Sequence, residues 1–363
     1  MTAEQLVPLP REPRTASLGL PCETVSVVVI GRNEGARLVR CLAAVNAMRY
    51  PATLLEKIYV DSESSDGSAR RAAQAGFKIL HYQSESRTAA GARELGWRAA
   101  GSRFVLFLDG DCTVDPDFLR HAIERCLSDK AVAVNGEVRE SLQAPHAARR
   151  CLGVYWEVAL RGSEGKSFYR GGCGLVERAA LQEVGGFDVD LAGTENNDLG
   201  RRLIQQGGNV WYLNRPMVIH DSGVETWAEV FRHGVRDGYW FERLSRMPKA
   251  AGKPITTAAR TTAVRQAAPV VCTALAGWAL QGAMGLVLGA VVPATIALGK
   301  RVRLVRKAKG ERPSNLLDAV LLGAYETFIW FGRLRYVAGQ MIGKPEAFRT
   351  GPDWRSPERG SAQ

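Results

Sequence analysis

The sequence predicts an α/β protein built on a doubly wound sheet. Apolar, β-branched runs that are typical of buried strands alternate with segments whose apolar residues recur at helical spacing. The first run, residues 25–30, ends at Gly31, and the fourth, residues 104–108, ends in two aspartates separated by one glycine. Such alternation predicts one sheet with helices on both faces. Ligands of such sheets bind beyond the carboxyl ends of the strands.

The individual elements follow in order from local residue patterns. Residues 37–48 carry apolar residues at helical spacing, and Tyr50-Pro51 ends that helix. The other elements predicted are strands at 57–60, 77–80, 209–213 and 217–219 and helices beginning at 65–68 and covering 88–100 and 197–206. Glycine-rich turns at 171–174 and 185–188 lie between them, and residues 225–246 are amphipathic.

Polar groups follow three of the predicted strands. The turn at residues 31–34 follows the first strand, Asp61 closes the second, and Asp109 and Asp111 follow the fourth. Because ligands of such sheets bind beyond the carboxyl ends of the strands, these turns are expected to converge on one crevice. Paired carboxylates at this place suit a hard divalent cation and, through it, a diphosphate.

Charge and cysteine content limit the kinds of site and the cellular compartment that the sequence predicts. The 363 residues carry a net charge of +11, with much of the basic excess in the C-terminal third, and seven cysteines without a CxxC pair. A zinc site or a disulfide framework is therefore not indicated, which fits a reducing compartment. Residues 1–21 lack the apolar core of a signal peptide, so a disordered tail is expected there.

A long apolar stretch indicates a membrane. Residues 267–298 contain no charge, which is enough for one span or for a re-entrant hairpin broken near 282–285. Basic residues on both flanks favour the hairpin with both ends in the cytoplasm, and a buried soluble helix is the alternative. Residues 316–342 are apolar but interrupted by charges, so an interfacial or partly buried helix is expected.

Taken together, the motifs resemble the inverting family 2 glycosyltransferases with the GT-A fold. The resemblance covers roughly residues 25–239 and rests on the stretches 27–34, 60–68, 90–93, 109–111, 185–188 and 195–202. It implies a doubly wound mixed sheet and transfer of a sugar, with inversion, from a nucleotide-sugar, most often a UDP-sugar. The Gln-x-x-Arg-Trp element of processive synthases has no match here, so transfer of a single sugar is expected.

The resemblance also implies residues that bind the donor. Asp61 would bind the base or ribose, Asp109 would lie by the ribose, and Arg87 or Arg93 would lie near the pyrophosphate. The further donor-site residues that it implies are Asn33, Glu34, Gly171 and Gly172. Gly171 and Gly172 would let the backbone approach the donor, although a simple turn would also explain them.

A metal site is implied in the same way. Asp111, with Asp109, would hold Mg²⁺ or Mn²⁺ between the two phosphates, where the cation stabilises charge on the leaving diphosphate. His220 matches the histidine that completes this site in many GT-A enzymes. A histidine that only caps a strand end is the alternative.

The catalytic base departs from the family pattern. Asn196 stands where the base usually stands, and an amide cannot take a proton from a hydroxyl. Either Glu195 or Asp198 then assumes the role, or activity is impaired. Glu195 is preferred, because Asp198 is spaced to pair with Arg201 or Arg202 on a helix.

Residues 232–240 are basic and aromatic, which would suit a lipid diphosphate acceptor at the membrane surface, and a solvated amphipathic helix that docks the catalytic domain on the membrane is the alternative. By analogy with the family, a lipid-linked saccharide of envelope or exopolysaccharide assembly is expected, at a bacterial inner membrane with the catalytic domain in the cytoplasm. The basic run after Leu298 is interpreted as a membrane anchor and not as a nucleic-acid site. The alternatives are transfer to a free lipid or small molecule, and a nucleotide-sugar-binding protein without turnover.

The expected domains follow from these assignments. They are a tail at 1–24, a catalytic domain at 25–245 with a nucleotide-sugar half at 25–135 and an acceptor half at 136–245, a membrane-associated helical region at 246–345 and a tail at 346–363.

Overall fold

The computed structural model describes residues 23–141, 147–160, 162–169, 171–246 and 316–341. Its strands are β1 (Val25–Gly31), β2 (Leu55–Asp61), β3 (Lys78–His81), β4 (Phe104–Asp109), β5 (Cys112–Val114), β6 (Ala131–Glu140), β7 (Gly165–Lys166), β8 (Gly174–Glu177) and β9 (Asn209–His220). Its helices are α1 (Ala36–Asn46), α2 (Ser68–Gln74), α3 (Ala89–Arg98), α4 (Phe118–Ser128), α5 (Ala147–Leu160), α6 (Arg178–Glu183), α7 (Glu195–Gln205), α8 (Trp227–Arg246) and α9 (Leu316–Met341).

The strands form one mixed sheet in the order β3-β2-β1-β4-β8-β6-β9-β5, with β7 paired to β9. Strands β3, β2, β1 and β4 are parallel, as the alternation of strands and helices predicts. Strand β8 is antiparallel to both β4 and β6, whereas β6 and β9 are parallel. The α/β class and the mixed sheet are thus confirmed.

Strand β9 merges two strands that the sequence separates. Asn214, Arg215 and Pro216 suggest a break between residues 213 and 217. In the structure the strand continues through them, and the pairing with β6 shifts its register beside Pro216. A bulge thus accommodates a residue that cannot donate a ladder hydrogen bond.

Two apolar layers enclose the sheet. Val25, Val27 and Val29 of β1 pack into one of them, together with α1 and α4. Val28 and Ile30 pack into the other, together with α3 and α7. The whole of β1 is buried because it lies between β2 and β4 and is covered on both faces, which explains its unbroken apolar run.

Helices α5, α8 and α9 form a separate apolar cluster beside the sheet. Helix α9 confirms that residues 316–341 are helical. None of the helices within the described ranges is both long and apolar enough to cross a bilayer. The hairpin or span predicted at residues 267–298, the tail at 346–363 and all but the last two residues of the tail at 1–24 lie outside the described residues.

One glycine of α3 tests the packing of this helix on the sheet. A Cβ at Gly96 would lie 2.3 Å from Cγ1 of Val28, whereas at Gly101, just after the helix, the nearest atom is 3.8 Å away. We expect Gly96→Ala to lower the free energy of unfolding by about 1–3 kcal/mol, because overpacking outweighs the gain in helix propensity. Gly101→Ala should leave it within about 0.5 kcal/mol of the parent in urea unfolding. Equal effects of the two changes would contradict this packing.

Candidate active site

The polar residues predicted from the sequence collect at one edge of the sheet. Asp61 and Asp109 end β2 and β4, Asp111 follows β4, and His220 ends β9. Glu195 is the first residue of α7, and a buried arginine links it to Asp109. The convergence that the strand order predicts is therefore present in the fold.

The turns after β1 and β2 are tied together by side chains. Asn33, in a left-handed conformation with φ of 54°, accepts a hydrogen bond from the backbone N–H of Ser65 at 2.8 Å. Its own backbone N–H donates to Ser64 Oγ at 3.0 Å. The buried Glu34 pairs with Arg37 at 2.9 Å. Both of these predicted donor residues thus hold the shape of the crevice.

Asp61 is buried at the end of β2, and its carboxylate is held in place by hydrogen bonds. It accepts hydrogen bonds from the backbone N–H of Ser64 at 2.9 Å and from the Tyr59 hydroxyl at 3.2 Å. Burial, and next the Asp61 charge, raise the pKa of Tyr59 well above its usual value, so this hydroxyl keeps its proton and donates.

Arg93 joins the two halves of the site. Its guanidinium donates to Glu195 Oε1 at 2.6 Å and to Asp109 Oδ1 at 2.5 Å, and the Arg93 side chain is only 2% exposed. Burial disfavours its charge, but Asp109 and then Glu195 outweigh that penalty and raise the pKa of Arg93. Arg93 therefore occupies a position between two carboxylates, whereas the resemblance suggests the pyrophosphate.

Gly172 covers this ion pair closely. A Cβ at Gly172 would lie 2.0 Å from Asp109 Oδ2 and 2.6 Å from an Arg93 nitrogen. Only glycine lets the backbone pass this ion pair, and the predicted approach to the donor stays a prediction. Gly171 has a φ of 77° and makes the turn before it.

Arg87 lies apart from this centre. Its half-exposed guanidinium bonds to Glu63, and its backbone has a positive φ of 38°. It immediately precedes Thr88, the N-cap of α3, and its partner Glu63 is not one of the predicted site residues.

The first turn of α7 distinguishes the candidate bases. Asp198 is buried and pairs with Arg201 at 2.6 Å and Arg202 at 2.7 Å, which confirms the expected helix pairing. Both of its oxygens are thereby occupied, so its role as a candidate base is not supported. Glu195 Oε1 also accepts the Asn196 amide at 2.8 Å, whereas Glu195 Oε2 accepts no hydrogen bond from the part of the chain that the structure describes.

Asn196 is oriented by its neighbour. Because an ionised carboxylate only accepts, the Asn196 amide nitrogen must face Glu195, which fixes the assignment of its oxygen and nitrogen. The Asn196 side-chain oxygen is buried without a hydrogen-bond partner within the described ranges. A polar ligand hydroxyl would satisfy this oxygen.

Asp111, Cys112 and His220 form a group that could hold a metal, with ligand atoms within 4.8 Å of one another. His220 Nε2 lies 3.5 Å from Asp111 Oδ2. A hydrogen bond that the Cys112 thiol donates to Cys173, and next burial, raise the pKa of this thiol well above its usual range, so it stays protonated. The remaining oxygen and imidazole ligands suit Mn²⁺ or Mg²⁺.

Glu140 completes the group and is a residue that the sequence motifs do not indicate. Its carboxylate lies 2.8 Å from His220 Nδ1 and fixes the ring so that Nε2 faces Asp111. Glu140 pairs directly with His220 across β6 and β9. Only this register brings together two residues 80 positions apart, so no local pattern could have indicated it.

The Arg93 pair predicts a large difference between two arginine substitutions. Arg93→Ala leaves the buried Glu195 carboxylate without its partner and should lower the free energy of unfolding by about 3–5 kcal/mol. Arg87→Ala removes an exposed pair and should cost less than about 1 kcal/mol. Urea unfolding of both variants measures the difference, and similar losses would disprove the buried bridge.

His220 predicts a pH dependence of stability. Burial lowers its pKa, but Asp111 and Glu140 outweigh burial and hold the pKa well above 6.5. A raised folded-state pKa stabilises the protein fully below the unfolded value, and this contribution disappears as pH rises through the folded value. In EDTA, the loss of stability in His220→Gln should be larger at about pH 6 than at about pH 10. A loss independent of pH would mean that the ring is neutral.

Comparison with known proteins finds glycosyltransferases among the proteins that this chain is similar to. Residues 26–185 match the model "Glycosyl transferase family 2". The chain is 25% identical over 292 residues to a pre-mycofactocin glycosyltransferase of Mycobacterium tuberculosis, covering 77% of this chain and 57% of that protein. It is 29% identical over 204 residues to glycosyltransferase AglE of Haloferax volcanii, covering 54% of this chain and 67% of that protein.

A solved structure shares the fold. The mannosyltransferase PcManGT from Pyrobaculum calidifontis, in complex with GDP-Man and Mn²⁺, aligns with a TM-score of 0.57 at 18% identity, covering 85% of this chain and 87% of that chain. The mixed sheet is therefore of the GT-A type. Residues 26–185 of this chain are therefore similar to the catalytic domain of the family 2 glycosyltransferases.

Proposed function

We propose that the protein transfers a single sugar, with inversion, from a nucleotide-sugar to a hydroxyl of a lipid-linked or glycan acceptor. The observation that carries the proposal is the Arg93 bridge, which places Glu195 next to Asp109. A proton acceptor and a carboxylate of the donor site are thereby held at one centre. The family 2 match and the glycosyltransferase relatives support this reaction class.

Glu195 is the proposed catalytic base. Arg93 and Asn196 hold its Oε1, which leaves Oε2 to accept the proton of the acceptor hydroxyl. As that proton moves to Glu195, the acceptor oxygen bonds to the anomeric carbon. The bond from that carbon to the donor diphosphate breaks on the opposite side, and a nucleoside diphosphate leaves.

The donor is proposed to lie across the ends of β1, β2 and β4. Asp61 accepts hydrogen bonds from the base or ribose, and a UDP-sugar is our first choice. The solved relative was studied with GDP-Man, so a guanosine donor belongs in the same test. Asp111 and His220 fit a divalent cation, since both are hard or borderline donors and Glu140 fixes the histidine ring. The cation supplies Lewis-acid stabilisation of the leaving diphosphate.

The acceptor side is proposed to face a bacterial inner membrane from the cytoplasm. The uncharged residues 267–298 and their basic flanks support this location. Because the chain spans 57% of the length of the mycobacterial relatives, their acceptor is not carried over.

Two substitutions in α7 test the base and separate an enzyme from a protein that only binds the donor. Glu195→Gln should lower the rate of nucleotide release by about 10²–10⁴-fold, since the amide cannot accept the proton, and should preserve donor binding. The measurement is Mn²⁺-dependent release of UDP or GDP from a panel of nucleotide-sugars, with bacterial membrane lipids as acceptor.

Asn196→Asp is the matched variant. It replaces a hydrogen bond to Glu195 by a second carboxylate, so like-charge repulsion should lower the rate. A rate increase would instead assign the base to position 196 and make the natural chain an impaired enzyme. If the parent protein binds the donors but releases no nucleotide, the result would support the alternative function, a nucleotide-sugar-binding protein without turnover.

A further inference from the structure

The surface of α8 and α9 carries large apolar side chains that face solvent. Trp227, Phe231, Phe331 and Leu334 are 43%, 41%, 49% and 44% exposed. We call these four residues the aromatic face. It is one continuous surface, since the Phe231 and Phe331 ring centroids are 6.2 Å apart and Phe328 packs against Phe231 at 5.2 Å.

The two helices that carry the aromatic face form a rigid pair. They run in the same direction, because Phe231 contacts Phe328 and, two turns later, Tyr239 contacts Tyr336. A Cβ at Gly238 would lie 1.8 Å from the Ile329 carbonyl oxygen, so the backbones touch. The face is therefore a fixed platform and not a pair of loose helices.

The direction of the helices determines how the pair can lie on a surface. The chain leaves α8 at Arg246 and returns at Leu316, and these residues are at opposite ends of the parallel pair. From the helical rise, the two ends are about 40 Å apart along the axis. Contact of both of these ends with one surface would therefore require the pair to lie flat on it.

The same segment has the charge of a membrane-binding sequence. Residues 247–315 contain eleven Lys or Arg and one Glu, which is nearly the whole net charge of +11. Within it, residues 267–298 are uncharged. Exposed Arg232 and Arg335 border the aromatic face. Aromatic side chains beside arginines are the composition that prefers the boundary of an anionic bilayer.

We propose that the aromatic face docks on an anionic lipid bilayer, with α8 and α9 lying in its plane. Insertion of these four side chains would fix how the sheet is oriented at the membrane, because α5, α8 and α9 pack on one another and α5 packs on β6. The inference deepens the membrane part of the proposed function. Nucleotide release in detergent without vesicles tests the enzyme separately.

The test places an environment-sensitive fluorophore on single cysteines of the full chain. Phe231→Cys and Leu334→Cys probe the aromatic face, and Leu127→Cys on α4, also 41% exposed, is the matched control. Cys22→Ser and Cys272→Ser form the background, since the other five native cysteines are buried. With phosphatidylglycerol-containing vesicles, we expect a blue shift and quenching by spin-labelled lipid at 231 and 334, and neither at 127.

Other outcomes overturn the proposal. Equal responses at all three positions, or none, would mean that this face does not dock. Emission at 231 that is blue-shifted before vesicles are added would mean that another part of the chain covers the face. A shift that grows with protein concentration would mean that a second copy covers it. Undiminished shifts with purely zwitterionic vesicles would remove the role of anionic lipid.

Discussion

The site depends on one buried guanidinium. Arg93 pairs with Asp109 at the end of β4 and with Glu195 at the start of α7, two elements that are far apart in the sequence. Arg93 itself is buried, and its two carboxylate partners offset the cost of removing its charge from water. The ion pair therefore fixes the geometry of the centre.

The mixed sheet brings together the candidate metal-binding residues Asp111 and His220 and the residue that orients the histidine ring, Glu140. Strand β8 lies between β4 and β6 in the sheet and is antiparallel to both, so β4 and β6 run in the same direction. Strands β6 and β9 then run parallel, so Glu140 and His220 end side by side next to Asp111. A sheet of parallel strands alone would have no place for β8. In this sheet, β8 leads the chain from the tight turn at Gly172 directly into the sheet.

Much of the first half could be predicted from sequence. Strands β1, β2 and β4 are short apolar runs followed by polar turns, and that pattern is enough to place Asp61, Asp109 and Asp111 at one edge. Glu140 and the position of Arg93 could not be predicted, because they depend on strand register and on burial. The sequence pattern of α7, in contrast, correctly indicated that Asp198 pairs with neighbouring arginines.

Two buried thiols beneath the site can report on local opening of the structure. Cys41 and Cys112 are buried next to Asp109 and Asp111, and burial contributes to raising the pKa of both thiols well above the usual range. A protonated, inaccessible thiol reacts with alkylating agents only when the surrounding structure opens. The rate at which native Cys41 and Cys112 are modified therefore measures how often this edge of the sheet opens transiently. A ligand that closes the crevice would slow this modification.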